Sequence, residues 1–114
     1  MGIKDFVARG KGLEVVVRIY AYTRLLPSDE KYVLVPQLRR AALSIPLNLS
    51  EGYGRSSRPD FLRFIDIAIG SAREVEMVLE ICQRLDYPDP KGEIAMTEEV
   101  IRILLALKKS LRKD

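Results

Sequence analysis

The sequence predicts an all-α protein, an antiparallel up-down four-helix bundle in a single domain over residues 1–114. Three observations predict it. Apolar residues recur at i, i+3, i+4 and i+7 in four separate segments, the period of a helix that buries one face. No stretch alternates apolar and polar residues as a half-buried strand would. The connections between segments are short and hold several of the glycines and prolines, and short connections return neighbouring helices antiparallel.

The first helix is expected over about residues 11–26, ended by Pro27. It carries two stripes, Leu13, Val16, Val17 and Tyr20 on one side and Val15, Ile19, Tyr22 and Leu26 on another. A helix apolar on two sides needs two neighbours, or one neighbour and a partner subunit. The second helix is expected over about 29–53, with Ser28 as N-cap and Asp29 and Glu30 in the first turn, where carboxylates suit the helix dipole. Gly52 and Gly54 provide its stop signal. Its stripe is Leu34, Leu38, Ala41, Ile45 and Leu49. Pro36 and Pro46 fall inside this span, and an interior proline costs about 3 kcal/mol unless context compensates. The stripe passes Pro46 in phase, which favours one kinked helix over two.

The third helix, about 58–86, has the clearest start: Ser57 as cap, Pro59 in the first turn and Asp60 at the capping-box position. Its stripe runs Phe61, Phe64/Ile65, Ala68, Ala72, Val75, Leu79 and Cys82. Gly70, beside Ser71 and Ala72, is expected to serve a close helix approach. A proline-rich loop, Asp86 to Gly92, leads to a fourth helix over about 98–112 that Thr97, Glu98 and Glu99 would cap. Its stripe is Val100, Ile103/Leu104, Leu107 and Leu111. Lys108, Lys109, Arg112 and Lys113 at its end suit the negative pole of the dipole.

Composition excludes several chemistries. The chain has no histidine and one cysteine, Cys82, which removes Ser/Cys-His nucleophiles and zinc sites. Cys82 lies in a helical stripe and reads as a buried thiol in a reducing compartment, expected to be the cytoplasm. There is neither a phosphate-binding GxxxxGK[ST] loop nor a GxGxxG turn. No apolar run reaches the ~20 residues of a membrane span. The N-terminal residues have no signal-peptide core. Phe6 stands where an acylation signal beginning at Gly2 would need Ser or Thr. Without a positioned pair of acids, the chain is expected to be non-enzymatic, with no cofactor, metal or catalytic residue. A net charge of +3 is mild, so a nucleic-acid argument rests on where the charge lies.

Three clusters stand out. Leu43, Leu47 and Ser50 share the Arg39 side of the second helix, away from its core stripe, and Leu43, Leu47 and Arg39 are expected at an oligomer interface rather than as a widening of the core. Asn48 and Glu51 follow the Pro46 break. With Arg55, Arg63 and Glu74 they are expected to form a structural polar network, Glu51 pairing with Arg55, Arg63 or Arg40. Arg39, Arg40, Arg55, Arg58, Arg63, Lys108, Lys109 and Arg112 are the candidate nucleic-acid contacts. They lack interleaved aromatics, so binding would be backbone-driven, sequence-tolerant and salt-sensitive.

The string QLRRAALSIPLNLSEGYGRSS, followed by FLRFIDIAIGSAREVE, resembles the four helix bundle protein family, whose founding members are encoded within intervening sequences of 23S ribosomal RNA genes and have been labelled ribosomal protein S23-like. Gln37, Arg39, Arg40, Ser44, Pro46, Asn48, Glu51, Gly52, Arg63, Phe64, Gly70 and Glu74 carry the match, with Tyr20 upstream and KKSLRK at the end. The chain departs from the family at Arg9, Gly10 and Gly12, where relatives tend to carry an aromatic helix start. The resemblance implies a left-handed bundle assembled as a ring-like homo-oligomer, a pentamer. Accessory proteins of diversity-generating retroelements look like distant relatives, and there a basic ring associates with a reverse transcriptase and nucleic acid. The expectation is therefore a non-enzymatic, RNA-associated oligomer. Its alternative is an oligomeric scaffold for a protein partner, such as a reverse transcriptase, without direct nucleic-acid contact.

Overall fold

The computed structural model describes residues 2–112, so Lys113 of the expected basic terminus lies outside the described residues. Four helices and no strand occur among them: α1 (Ile3–Thr23), α2 (Leu34–Tyr53), α3 (Arg58–Arg84) and α4 (Lys91–Arg112). Each helix touches two others, α1 with α2 and α4, and α3 with α2 and α4, closing a four-membered bundle 47 Å long. Contacts between ends fix the antiparallel sense. Tyr53 at the end of α2 donates its hydroxyl to the Asp5 carbonyl at the start of α1. Lys108 late in α4 pairs with Asp66 early in α3 at 2.7 Å. Arg18 late in α1 pairs with Glu93 early in α4 at 2.8 Å.

The core is assembled from one stripe per helix. Val15, Ile19 and Tyr22 of α1, Leu38, Ile45 and Leu49 of α2, Ile65, Val75 and Leu79 of α3, and Val100, Leu104 and Leu107 of α4 are all buried. Of the two α1 stripes, only the second belongs to the core; Leu13 and Val17 of the first stay exposed. Cys82 is buried, and burial pushes its thiol up. No described helix is long and apolar enough to cross a membrane.

Helix starts differ from expectation at three places, each for a local reason. Helix α1 begins at Ile3, not near residue 11. Ala8 and Gly12 are buried, and a methyl at Gly12 would lie 3.4 Å from Ile45 Cγ2 of α2, so this glycine serves helix contact. Helix α2 begins at Leu34 rather than residue 29; Ser28–Glu30 form a single 3-10 turn preceded by Pro27. Pro36 thereby falls in the first turn of α2, where a missing N–H leaves no bond unmade. The helix then runs unbroken through Pro46. Helix α4 begins at Lys91 rather than 98. Asp89 Oδ1 accepts from Lys91 N–H at 3.1 Å and the Pro90 carbonyl takes the first helical bond from Ile94, so these two residues supply the real start. Thr97 is not a cap: it is fully buried inside α4, its hydroxyl donating to the Glu93 carbonyl.

Helix α3 starts where the sequence signals place it, with Ser57 Oγ accepting from Asp60 N–H. It ends two residues early because Asp86 takes a left-handed conformation (φ 60°), letting Tyr87 N–H return to the Cys82 carbonyl. The two interior-glycine expectations exchange places. Around Gly70 nothing lies within 4 Å of a would-be Cβ, so it serves no crossing. Gly52, expected as a stop signal, is a buried position inside α2 that lets α3 come close. The helix ends a residue later, at Tyr53, with Gly54 as its C-cap and no positive φ.

Candidate nucleic-acid interface

The antiparallel fold brings the two predicted basic clusters to one end of the bundle. The α2–α3 corner contributes Arg55, Arg58 and Arg63, and the end of α4 contributes Lys108, Lys109 and Arg112. The Lys108–Asp66 pair ties these two sets together across the α3–α4 contact. Lys4 and Arg9 of α1 arrive at the same end, as the Tyr53–Asp5 bond shows. Lys4 and Arg9 escaped sequence reasoning because α1 was expected to start after them. Lys108, Lys109 and Arg112, with Leu105, line an open cleft of about 500 Å³. The opposite end interleaves Arg24, Lys31, Arg84 and Lys91 with Asp29, Glu30, Asp86 and Asp89, giving no comparable excess.

Arg39 and Arg40 do not join this end. They lie in the first turns of α2, and Arg39 is about 21 Å along the helix from its last residue, Tyr53, at 1.5 Å per residue. Arg39 Nε donates to Thr23 Oγ1 at 2.8 Å and its guanidinium sits 4.4 Å from the centre of the Tyr20 ring, so this arginine fastens the end of α1 to α2. Arg40 is exposed on α2.

At the basic end the arginines are already held by the chain itself. Arg55 pairs with Glu51 one turn earlier, and Arg63 stands 3.7 Å from Asp60. Both guanidiniums lie over the same ring: Arg55 Cζ is 4.9 Å and Arg63 Cζ 4.4 Å from the centroid of Phe64. The remaining members of the expected polar network sit along the α2–α3 seam in separate links. Asn48 Nδ2 donates to both the carbonyl and the hydroxyl of Ser44, and Ser71 of α3 donates to the same hydroxyl. Gln37 donates to Glu74. The sequence singles out Ser44 for the family match but does not place Ser44 and Ser71 in this network, because small hydroxyls on a helix give no signal until their partners are known.

Leu43 and Leu47 flank a groove of about 470 Å³ between α1 and α2, together with Arg9, Leu13, Val16, Pro46, Ser50 and Tyr53. Leu47 is 63% exposed, which removes the reading that these leucines merely widen the core. Arg39 is not among the groove residues.

Shifted proton affinities lie elsewhere than the arginine cluster. Burial, reinforced by the Asp5 carboxylate, raises the Tyr53 hydroxyl to about 12. Burial, reinforced by the neighbouring Glu98 carboxylate, raises the Glu76 carboxyl. No described group of three or more His, Cys, Asp or Glu side chains is arranged to hold a metal ion.

A family model described as 23S rRNA-intervening sequence protein matches residues 4–109. Among solved structures, the chain is similar to a protein of unknown function from the S23 ribosomal protein family of Bacteroides thetaiotaomicron, with 31% identity and a TM-score of 0.85. The match covers 94% of this chain and 99% of that one. A comparison with curated proteins gives no match.

Proposed function

From the chain's membership of the 23S rRNA-intervening sequence protein family, to which it belongs, we propose that it is a non-enzymatic, oligomeric protein that binds RNA by its phosphate backbone through the basic end of the bundle. The observation that carries this reading is the convergence of Arg55, Arg58, Arg63, Lys108, Lys109 and Arg112, from segments far apart in sequence, on one end of the molecule. Lysine and arginine gathered this way neutralise phosphates and release counterions, without reading bases. Arg39 and Arg40 are left out of the contact surface, because they lie toward the other end.

Filter binding of single-stranded RNA across salt concentrations tests the reading. Six phosphate contacts give a log–log slope of about −4. Reversal of Arg55 and Arg58 to glutamate flattens the slope and weakens binding for every RNA sequence alike. A slope near zero, or variants that bind like the parent, overturns it.

Self-association is the second part of the proposal, supported by the exposed Leu43 and Leu47 on a groove outside the core. An apolar surface of this kind is a common site of subunit contact. Sedimentation of Leu43→Asp and Leu47→Asp should show smaller species than the parent; unchanged assembly in both removes the groove as the interface. The competing scaffold reading, in which the assembly presents its surface to a protein partner, is favoured if an intact oligomer binds no RNA even at low salt.

A further inference from the structure

We propose that Arg55 and Arg63, stacked on the single ring of Phe64, form a two-guanidinium clamp for the phosphate diester of a nucleic-acid strand, and that Phe64 is its positioning residue. The inference rests on the RNA-binding reading and adds which atoms meet the ligand and what holds them ready.

Phe64 is only 8% exposed, so its ring is fixed by the α2–α3 contact and offers a rigid platform. Two long side chains from different elements converge on it. Arg55 follows the end of α2, and Arg63 lies in the second turn of α3. An arginine stacked on a ring gives up its rotamer freedom before a ligand arrives, and order established in advance is affinity retained on binding. Stacking also leaves the guanidinium edge, with its five N–H donors, available for a planar anion.

The carboxylates beside the two arginines fit the role of stand-ins that a phosphate displaces. Glu51 Oε1 engages Nη2 of Arg55. Asp60 faces Nε of Arg63 at 3.7 Å, beyond hydrogen-bonding distance. Both acidic side chains are at least half exposed, 56% and 50%, so water readily takes the arginines' place when they leave. A phosphate offers bidentate geometry to each guanidinium, which Asp60 does not reach.

Nuclear magnetic resonance of the arginine Nε–H groups tests the clamp directly, with inorganic pyrophosphate and a short oligouridylate as probes. In the parent protein both probes should shift Arg55 and Arg63 together, more than Arg39, which is engaged with Thr23. Phe64→Leu should weaken oligouridylate binding about fivefold, the loss of stacking on two arginines, while the salt slope stays unchanged because no charge is removed. Phe64→Tyr, which keeps the ring, should restore affinity. Arg55→Gln with Arg63→Gln should instead flatten the slope by about 1.4. RNA binding that leaves Arg55 and Arg63 unshifted overturns the clamp and spares the RNA reading. Pyrophosphate shifts on both arginines without RNA binding leave only a small-anion site and overturn both the clamp on a strand and the RNA reading. Silence from both probes overturns both. Because the parent's own shifts decide these outcomes, a Phe64→Leu protein that failed to fold would not alter them.

Discussion

Gly52 of α2 approaches Phe61 of α3 so closely that a methyl group on Gly52 would lie 2.8 Å from Phe61 Cδ1 and 3.1 Å from Phe64 Cβ. Phe61 also packs against Tyr53 in a tilted pair, centroid to centroid at 5.1 Å, which limits its retreat on that side. Gly52→Ala should therefore destabilise the fold despite alanine's higher helix propensity, by about 1–3 kcal/mol as over-packing of a filled core does. Urea denaturation measures it, and a gain in midpoint would contradict the close approach.

Gly70→Ala should do the reverse. The position is exposed, inside α3, with open space where the Cβ would go. Alanine there restricts the unfolded chain and adds helix propensity, worth about 0.4–1 kcal/mol of added stability. The pair of glycine variants, compared under the same denaturant, should move in opposite directions.

Asp86→Gly should also stabilise. Asp86 sits at φ 60°, a conformation that costs a residue with a side chain roughly 1 kcal/mol and glycine almost nothing. The Tyr87 N–H bond to the Cys82 carbonyl stays in place. Thermal melts should show a rise of a few degrees; a fall would mean the Asp86 carboxylate holds the turn in a way its backbone does not reveal.

Stability should decline in alkali, and two of the three tyrosines that hold their protons more tightly in the fold open that decline. Tyr87 is raised to about 12 chiefly by its hydrogen bond to Glu30, and Tyr53 to about 12 chiefly by burial, from an ordinary value of 10.0. A phenol with a raised value in the fold holds its proton more tightly there than in the unfolded chain. The stability it brings is complete below pH 10 and is lost as pH rises from there through about 12. Tyr87→Phe and Tyr53→Phe should flatten the fall of denaturation midpoint across that window; equal steepness in both would sink the assignment.

How much of this was legible in the chain depends on whether the signal was local. Ser57, Pro59 and Asp60 announce α3 because a cap, a proline and an acid act within one turn. The same logic misplaced α4, since Thr97 has the chemistry of a cap but occupies a core position, its hydroxyl satisfied within its own helix. Gly12 hid the start of α1 because what decides its use is α2 alongside, which propensity does not register. The apolar character of Leu43 and Leu47 outside the main stripe could be read from helix geometry alone. The convergence of Arg55 and Arg63 on Phe64, and of Lys108 on Asp66, depends on how α2, α3 and α4 meet, so residue types by themselves do not contain it.

The uneven placement of charge along the 47 Å axis gives the molecule a head and a tail. Neighbours associating side by side in the same sense would merge their heads into one positively charged rim, while neighbours in opposite senses would scatter it over both faces. The direction in which subunits align would thus decide whether a long polyanion meets a continuous track or isolated stops.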